Sequence, residues 1–182
     1  MTTIPQYTFD ELLQHAAENK WCVQTFCTTC GSTDFRKALE SSISENEEAF
    51  VQSTCEFQFD RISSYHEFTA AVYHVFNQLR SSDGHFKILD YWIERPDLPV
   101  RVADYLFFYI VRSYSRSETG KRWLSKCIEL AEKEKDISLT ETLILSLRSR
   151  AQNHESLILL ATELSTQSKK ISNLIVKFSL MK

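Results

Sequence analysis

Residues 64–79, SYHEFTAAVYHVFNQL, decide the fold class. Phe68, Ala71, Val72, Val75, Phe76 and Leu79 stand at i, i+3, i+4, i+7, i+8 and i+11. That spacing puts all six on one stripe of a helix, the pattern of an element that buries one face and shows the other to water. Working toward the C-terminus, Ser82-Asp-Gly84 is the expected stop of this helix. Phe86, Leu89, Trp92 and Ile93 make a shorter helix, ended by the segment from Pro96 to Pro99. Pro99 to Tyr114 is apolar nearly all round and reads as a buried, central helix. Four further stripes follow: Trp123, Leu124, Cys127, Ile128 and Ala131 after Gly120; Leu139, Leu143 and Leu147 behind the capping box Ser138-Leu-Thr-Glu141; Leu157, Leu160, Ala161 and Leu164; and Ile171, Leu174, Ile175 and Phe178.

Toward the N-terminus, Thr8-Phe-Asp-Glu11 is a capping box that opens a helix with Phe9, Leu12, Leu13, Ala16 and Ala17 on one face. Lys20 to Thr33 interrupts the pattern, and a helix resumes at Asp34 with Phe35, Ala38 and Leu39 buried. Ser44-Glu-Asn-Glu47 reads as a second capping box, ahead of Ala49, Phe50 and Val51. Residues 53–59 are ambiguous: Cys55, Phe57 and Phe59 alternate with polar residues, which is strand periodicity. They are expected to be extended or frayed helix, with pairing to Trp21-Cys-Val23 as a small ribbon the alternative.

These stripes predict an all-α protein, a multi-helix bundle or a short irregular α-solenoid of helical hairpins with a cysteine-containing loop near the N-terminus. A single domain is expected over residues 1–182, with 1–60 as N-terminal helix plus cysteine loop and 61–182 as the helical body. Only three glycines and three prolines occur, too few for the turns of an all-β chain. No tetratricopeptide or ankyrin pattern is present. The most apolar run, Tyr105 to Val111, is far shorter than the roughly 20 residues of a membrane span. The first residues lack a basic stretch followed by an apolar one, so no secretory signal is read there. Five cysteines without that context point to reduced thiols in the cytoplasm. Net charge is −3, but residues 1–91 carry 13 Asp/Glu against six Lys/Arg and residues 92–182 carry 11 against 15. The halves therefore differ in sign, a dipole able to orient a partner.

Two segments have residue types that do chemistry. WCVQTFCTTCGSTDFR, residues 21–36, holds Cys22, Cys27 and Cys30. Cys27-x-x-Cys30-Gly31 resembles a metal-binding knuckle, and Cys22 adds a third thiolate for one zinc ion. The fourth ligand is missing locally; Cys55 fits best, with His15 and His66 next. A Cys-x-x-Cys at a helix start also suits thiol–disulfide exchange, because the helix dipole favours the thiolate. The third reading is plain buried cysteines packed by Trp21, Phe26 and Phe35. RSYSRSETGKRWLSK, residues 112–126, brings Arg112, Arg116, Lys121, Arg122 and Lys126 together with only Glu118 opposing. Such cations hold phosphates, or complement the end of the preceding helix. Trp123 lies on an apolar stripe and is expected in the core.

Catalytic signatures are scarce. Gly120-Lys121 lacks the upstream glycine of a phosphate loop, and His66-Glu67 is followed by Phe68-Thr69-Ala70, so no zinc-protease motif forms. His74 reads as a partly buried surface residue and His85 as sitting at a helix start. Asp60, Glu67 and Asp90 are scattered carboxylates. The function these features favour is a non-enzymatic cytoplasmic protein-binding or accessory protein, compatible with an inhibitor or immunity-type role, whose cysteine loop is a structural staple with zinc where a fourth ligand completes the site. The alternatives are a thiol–disulfide redox protein using Cys27 and Cys30, and a nucleic-acid-binding module using the region from Arg112 to Lys126.

Overall fold

Thr8 opens the first helix as its capping box predicts: the Glu11 amide donates to the Thr8 hydroxyl at 3.3 Å and the Thr8 amide donates back to the Glu11 carboxylate at 2.8 Å. The two bonds satisfy orphan donors at both positions, and the donated protons hold the Glu11 carboxyl below its ordinary range. The computed structural model describes residues 6–23 and 33–114, together with 119–120, 122–123, 125–126 and 129–130. Among them are six α-helices: α1 Phe9–Glu18, α2 Thr33–Glu45, α3 Glu47–Cys55, α4 Tyr65–Gln78, α5 Gly84–Ile93 and α6 Val100–Tyr114. Short 3₁₀ turns lie at Phe59–Arg61 and Leu79–Ser81, and no strand occurs among the described residues. The protein is all-α. The stripes predicted from Ser138 onward lie outside the described residues.

The chain divides into two compact units, Met1–Asp97 and Leu98–Lys182. In the first, α1 ends where the chain turns left-handed at Lys20, φ 54°. The Trp21 amide reaches back to the Ala16 carbonyl at 2.8 Å and the Lys20 amide to that of Ala17 at 3.3 Å. This is a Schellman closure, normally built on glycine; a lysine in that conformation costs about 1 kcal/mol. Beside it the His15 ring packs against Tyr7 and Trp21, with centroids 4.9 and 4.7 Å away.

One expectation changes at α3, and the ambiguity at 53–59 resolves as frayed helix and extended link. Its N-cap is Asn46, whose side chain accepts from the Ala49 amide at 3.1 Å, and not Ser44, which belongs to the last turn of α2. A short amide side chain one residue before the helix caps better than a serine three residues earlier whose own backbone is already helical. The alternation at 53–59 is not a strand. α3 runs to Cys55, the Gln58 backbone is extended, and a 3₁₀ turn follows. Cys55, Phe57 and Phe59 are all buried. Alternation reported which side of the link faces the core, and a single extended residue provides that without a ladder. Val23, on the expected partner segment, instead offers its carbonyl to His74 Nε2 at 3.2 Å.

The core of this unit is aromatic. Phe68 of α4 meets Phe57, Phe9 and Trp92 at centroid distances of 5.2, 5.9 and 5.9 Å, and Phe59 meets Trp92 at 5.4 Å. Edge-on and offset rings of this kind add to the area they bury. α5 locks the end of α3: the Trp92 indole N–H donates to the Thr54 carbonyl at 2.9 Å and the Cys55 carbonyl at 3.2 Å. Arg95 donates from Nη1 to the carbonyls of Cys55 at 3.1 Å and Phe57 at 2.6 Å, while its Nε donates to Asp97 at 2.8 Å. Its guanidinium lies 4.5 Å from the Phe59 ring centre. Helix ends leave such carbonyls without partners, and a cation is favoured there.

At the α4–α5 corner the expected stop is also a start. Asp83 is left-handed at φ 60°, and Gly84 is the first residue of α5. A Cβ on Gly84 would sit 3.1 Å from Val51 Cγ2 and 3.3 Å from Leu79 Cδ2, so the glycine lets α5 approach α3 closely. His85 follows, 1 % exposed, with Nδ1 3.2 Å from the Leu79 carbonyl. Burial pushes its pKa down, with Arg80 in support, against the opposing pull of the Leu79 carbonyl and Asp83. His74 is lowered too, mainly by burial. Both histidines are thus neutral in the fold at pH values where the unfolded chain has begun to protonate. Stability contributed by this difference is complete above the ordinary histidine pKa and falls as pH drops below it toward the depressed folded values. Urea midpoints are expected to decline below about pH 6.5, and His85→Leu is expected to flatten that decline; a midpoint independent of pH there in the wild type would contradict it.

In the second unit, α6 begins one residue after Pro99, whose carbonyl accepts from Val102 at 2.9 Å and Ala103 at 3.0 Å. Val102, Ala103, Leu106, Tyr109 and Ile110 are buried and Arg101 is exposed. Trp123 is buried, 1 % exposed, as its place on an apolar stripe predicts.

Candidate functional site

Cys27 and Cys30 lie outside the described residues, so neither the knuckle nor the exchange pair is placed. Cys22 is a half-buried free thiol just past the Schellman closure. Its two neighbours are fixed, Trp21 through its amide and ring and Val23 through His74. Cys55 is buried on the last turn of α3, its sulfur 3.9 Å from the Lys87 carbonyl on α5. Burial, with the Glu56 charge beside it, pushes this thiol up to about 11. His15 is stacked in the α1 closure, and His66 is exposed on the first turn of α4. No group of three or more His, Cys, Asp or Glu side chains suited to one metal ion occurs among the described residues. Asp60, Glu67 and Asp90 are each exposed.

Of the basic region, Arg122 is exposed and Lys126 pairs with Glu129 at 3.6 Å. Arg116 and Lys121 lie outside the described residues. Arg112 falls on α6, and its side chain lies outside them as well.

The feature that sequence reading missed is a groove of about 780 Å³ between α1, the link that follows α3 and the start of α4. Its floor is apolar: Ala16, Val23, Phe57 and Phe68, all buried core residues seen from their outer side. Leu13, Trp21 and Ile62, each half-buried, and Ala17, exposed, form its walls. Around the rim, Asp10 pairs with Arg61, and Lys20 and Glu67 complete the polar edge. The volume falls within the range of binding clefts, and the lining mixes this apolar floor with a polar edge that also includes Gln14, Ser63 and Ser64.

Why α1 contributes both a core face and a groove wall follows from its pattern. Phe9, Leu12 and Ala16 lie on one line of the helix and are buried; Leu13 and Ala17 lie on the next, about 100° round. Five apolar positions make a stripe wider than one contact needs. That surplus width is the signal the sequence carries. Among the described residues no helix is long and apolar enough to cross a membrane. The chain matches no protein-family model, no curated protein and no solved structure.

Proposed function

We propose that this is a non-enzymatic protein-binding or accessory protein of the cytoplasm, and that the groove beside α1 is where it holds its partner. The observation that supports this reading is the half-exposed apolar line Leu13, Ala17, Trp21 and Ile62 over a rigid aromatic floor. Such a line is costly to leave in water, and it has the form of the helix-in-groove sites by which proteins take up a partner segment. An inhibitor or immunity-type role fits the same surface. In this reading Cys22, Cys27 and Cys30 form a structural staple, with one zinc ion where a fourth ligand completes the set, and they carry no turnover.

The test is a photo-crosslinking amino acid placed at position 14, on the groove edge, and at position 48, exposed on α3 away from it. A protein adduct at position 14, absent at 48 and lost when Ala17→Arg fills the groove, is the expected result. Equal adducts at both positions would contradict it, as would disulfide turnover by the wild type that disappears in Cys27→Ser.

A further inference from the structure

We infer that the groove takes a cationic amphipathic helix of another protein, an inference that rests on the docking reading just given. The shape argument comes from α1. Leu13 and Ala17 are one helical turn apart, and the Schellman closure brings Trp21 back beside them, so the wall presents apolar groups at intervals of about one turn. An incoming helix with apolar residues at i, i+4 and i+7 meets that spacing.

The charge argument comes from the rim. Asp10 and Arg61 neutralise each other. Gln14, on the groove edge, also borders a shallow hollow that carries Glu11 and Glu18. The groove's own lining is balanced, Asp10 and Glu67 against Lys20 and Arg61, so the excess of negative charge comes from Glu11 and Glu18 in that neighbouring hollow, both exposed. The surrounding unit has the same sign: residues 1–97 hold 15 Asp/Glu and seven Lys/Arg. Lysine and arginine on the flanks of the incoming helix would therefore find local partners and a steering field, whereas an acidic helix would be repelled by both. The same carboxylates oppose nucleic acid and anionic lipid at this groove.

The experiment is a displayed library of helical peptides with apolar residues fixed at i, i+4 and i+7 and random flanks, selected on the full chain and counter-selected on Ala17→Arg. Ala17 is exposed, so this variant blocks the groove without entering the core. Expected is enrichment of Lys and Arg on the flanks, with binding that weakens as salt is raised and by about tenfold or more on Ala17→Arg. Glu18→Lys with Glu67→Lys should reject the same peptides and retain Glu-flanked ones, while Glu48→Lys on the far side leaves binding unchanged. Groove-dependent peptides with neutral or acidic flanks would overturn the cationic partner and leave the docking reading standing. No peptide that distinguishes the wild type from Ala17→Arg would overturn the docking reading itself.

Discussion

Trp92→Ala is expected to remove most of the stability of the 1–97 unit. The indole is fully buried among Phe59, Phe68 and Phe76, and its N–H serves the carbonyls of Thr54 and Cys55. Emptying a buried tryptophan site costs about 3–5 kcal/mol. Losing the N–H adds about 0.5–1.5 kcal/mol, the net value of a hydrogen bond, because the Cys55 carbonyl still accepts from Arg95 and the Thr54 carbonyl from the Phe57 amide. Whole domains have only about 5–15 kcal/mol. Trp92→Phe separates the two contributions: it keeps a ring in the cavity and loses the N–H, and the lost bond is expected to cost about 0.5–1.5 kcal/mol. Urea unfolding of the three proteins measures both effects. A Trp92→Ala midpoint equal to that of the wild type would mean that α5 does not lock α3 as described.

Phe68→Ala is the second large effect. This ring touches Phe9, Phe57, Phe59 and Trp92 on the inside and forms floor on the outside. Its truncation should cost about 3–5 kcal/mol, while Phe68→Leu, which keeps an apolar side chain in the site but loses the ring contacts, should cost less, about 0.5–3 kcal/mol. Because Phe68 and Trp92 are in contact, their losses should not add in the double variant. Unfolding midpoints with circular dichroism give the answer, and a neutral Phe68→Ala would contradict the placement of the aromatic core. Phe68→Leu is also the informative variant for binding, since it holds the fold while changing the groove floor.

The periodic part of the fold was legible in the residues. The stripe from Phe68 to Leu79, the box Thr8 to Glu11, and the buried set Phe35, Ala38 and Leu39 all lie where helical spacing puts them. What local pattern missed were features set by tertiary contact. Cys55, Phe57 and Phe59 alternate because a link crosses an aromatic core. Gly84 stands at the start of α5 where a Cβ would press on Val51 and Leu79 at 3.1 and 3.3 Å. Asn46 outcompetes Ser44 as a cap because α2 extends to Glu45. The groove was hidden for a related reason: Leu13 and Ala17 have the same composition as core residues, and only the path of the 56–64 link shows that, among the described residues of the unit, nothing packs fully over them. The cysteine segment was the reverse case, conspicuous in sequence because thiols are chemically distinctive.

The most direct measurement on the groove is the labelling rate of the thiol introduced by Ala17→Cys in the full chain, read at that position by mass spectrometry before and after partner or selected peptide is added. The expected rate is close to that of an exposed reference thiol introduced by Glu48→Cys, with strong protection at position 17 alone once the groove is filled. Protection at position 17 in the free protein, or labelling that the partner leaves unchanged, would contradict it.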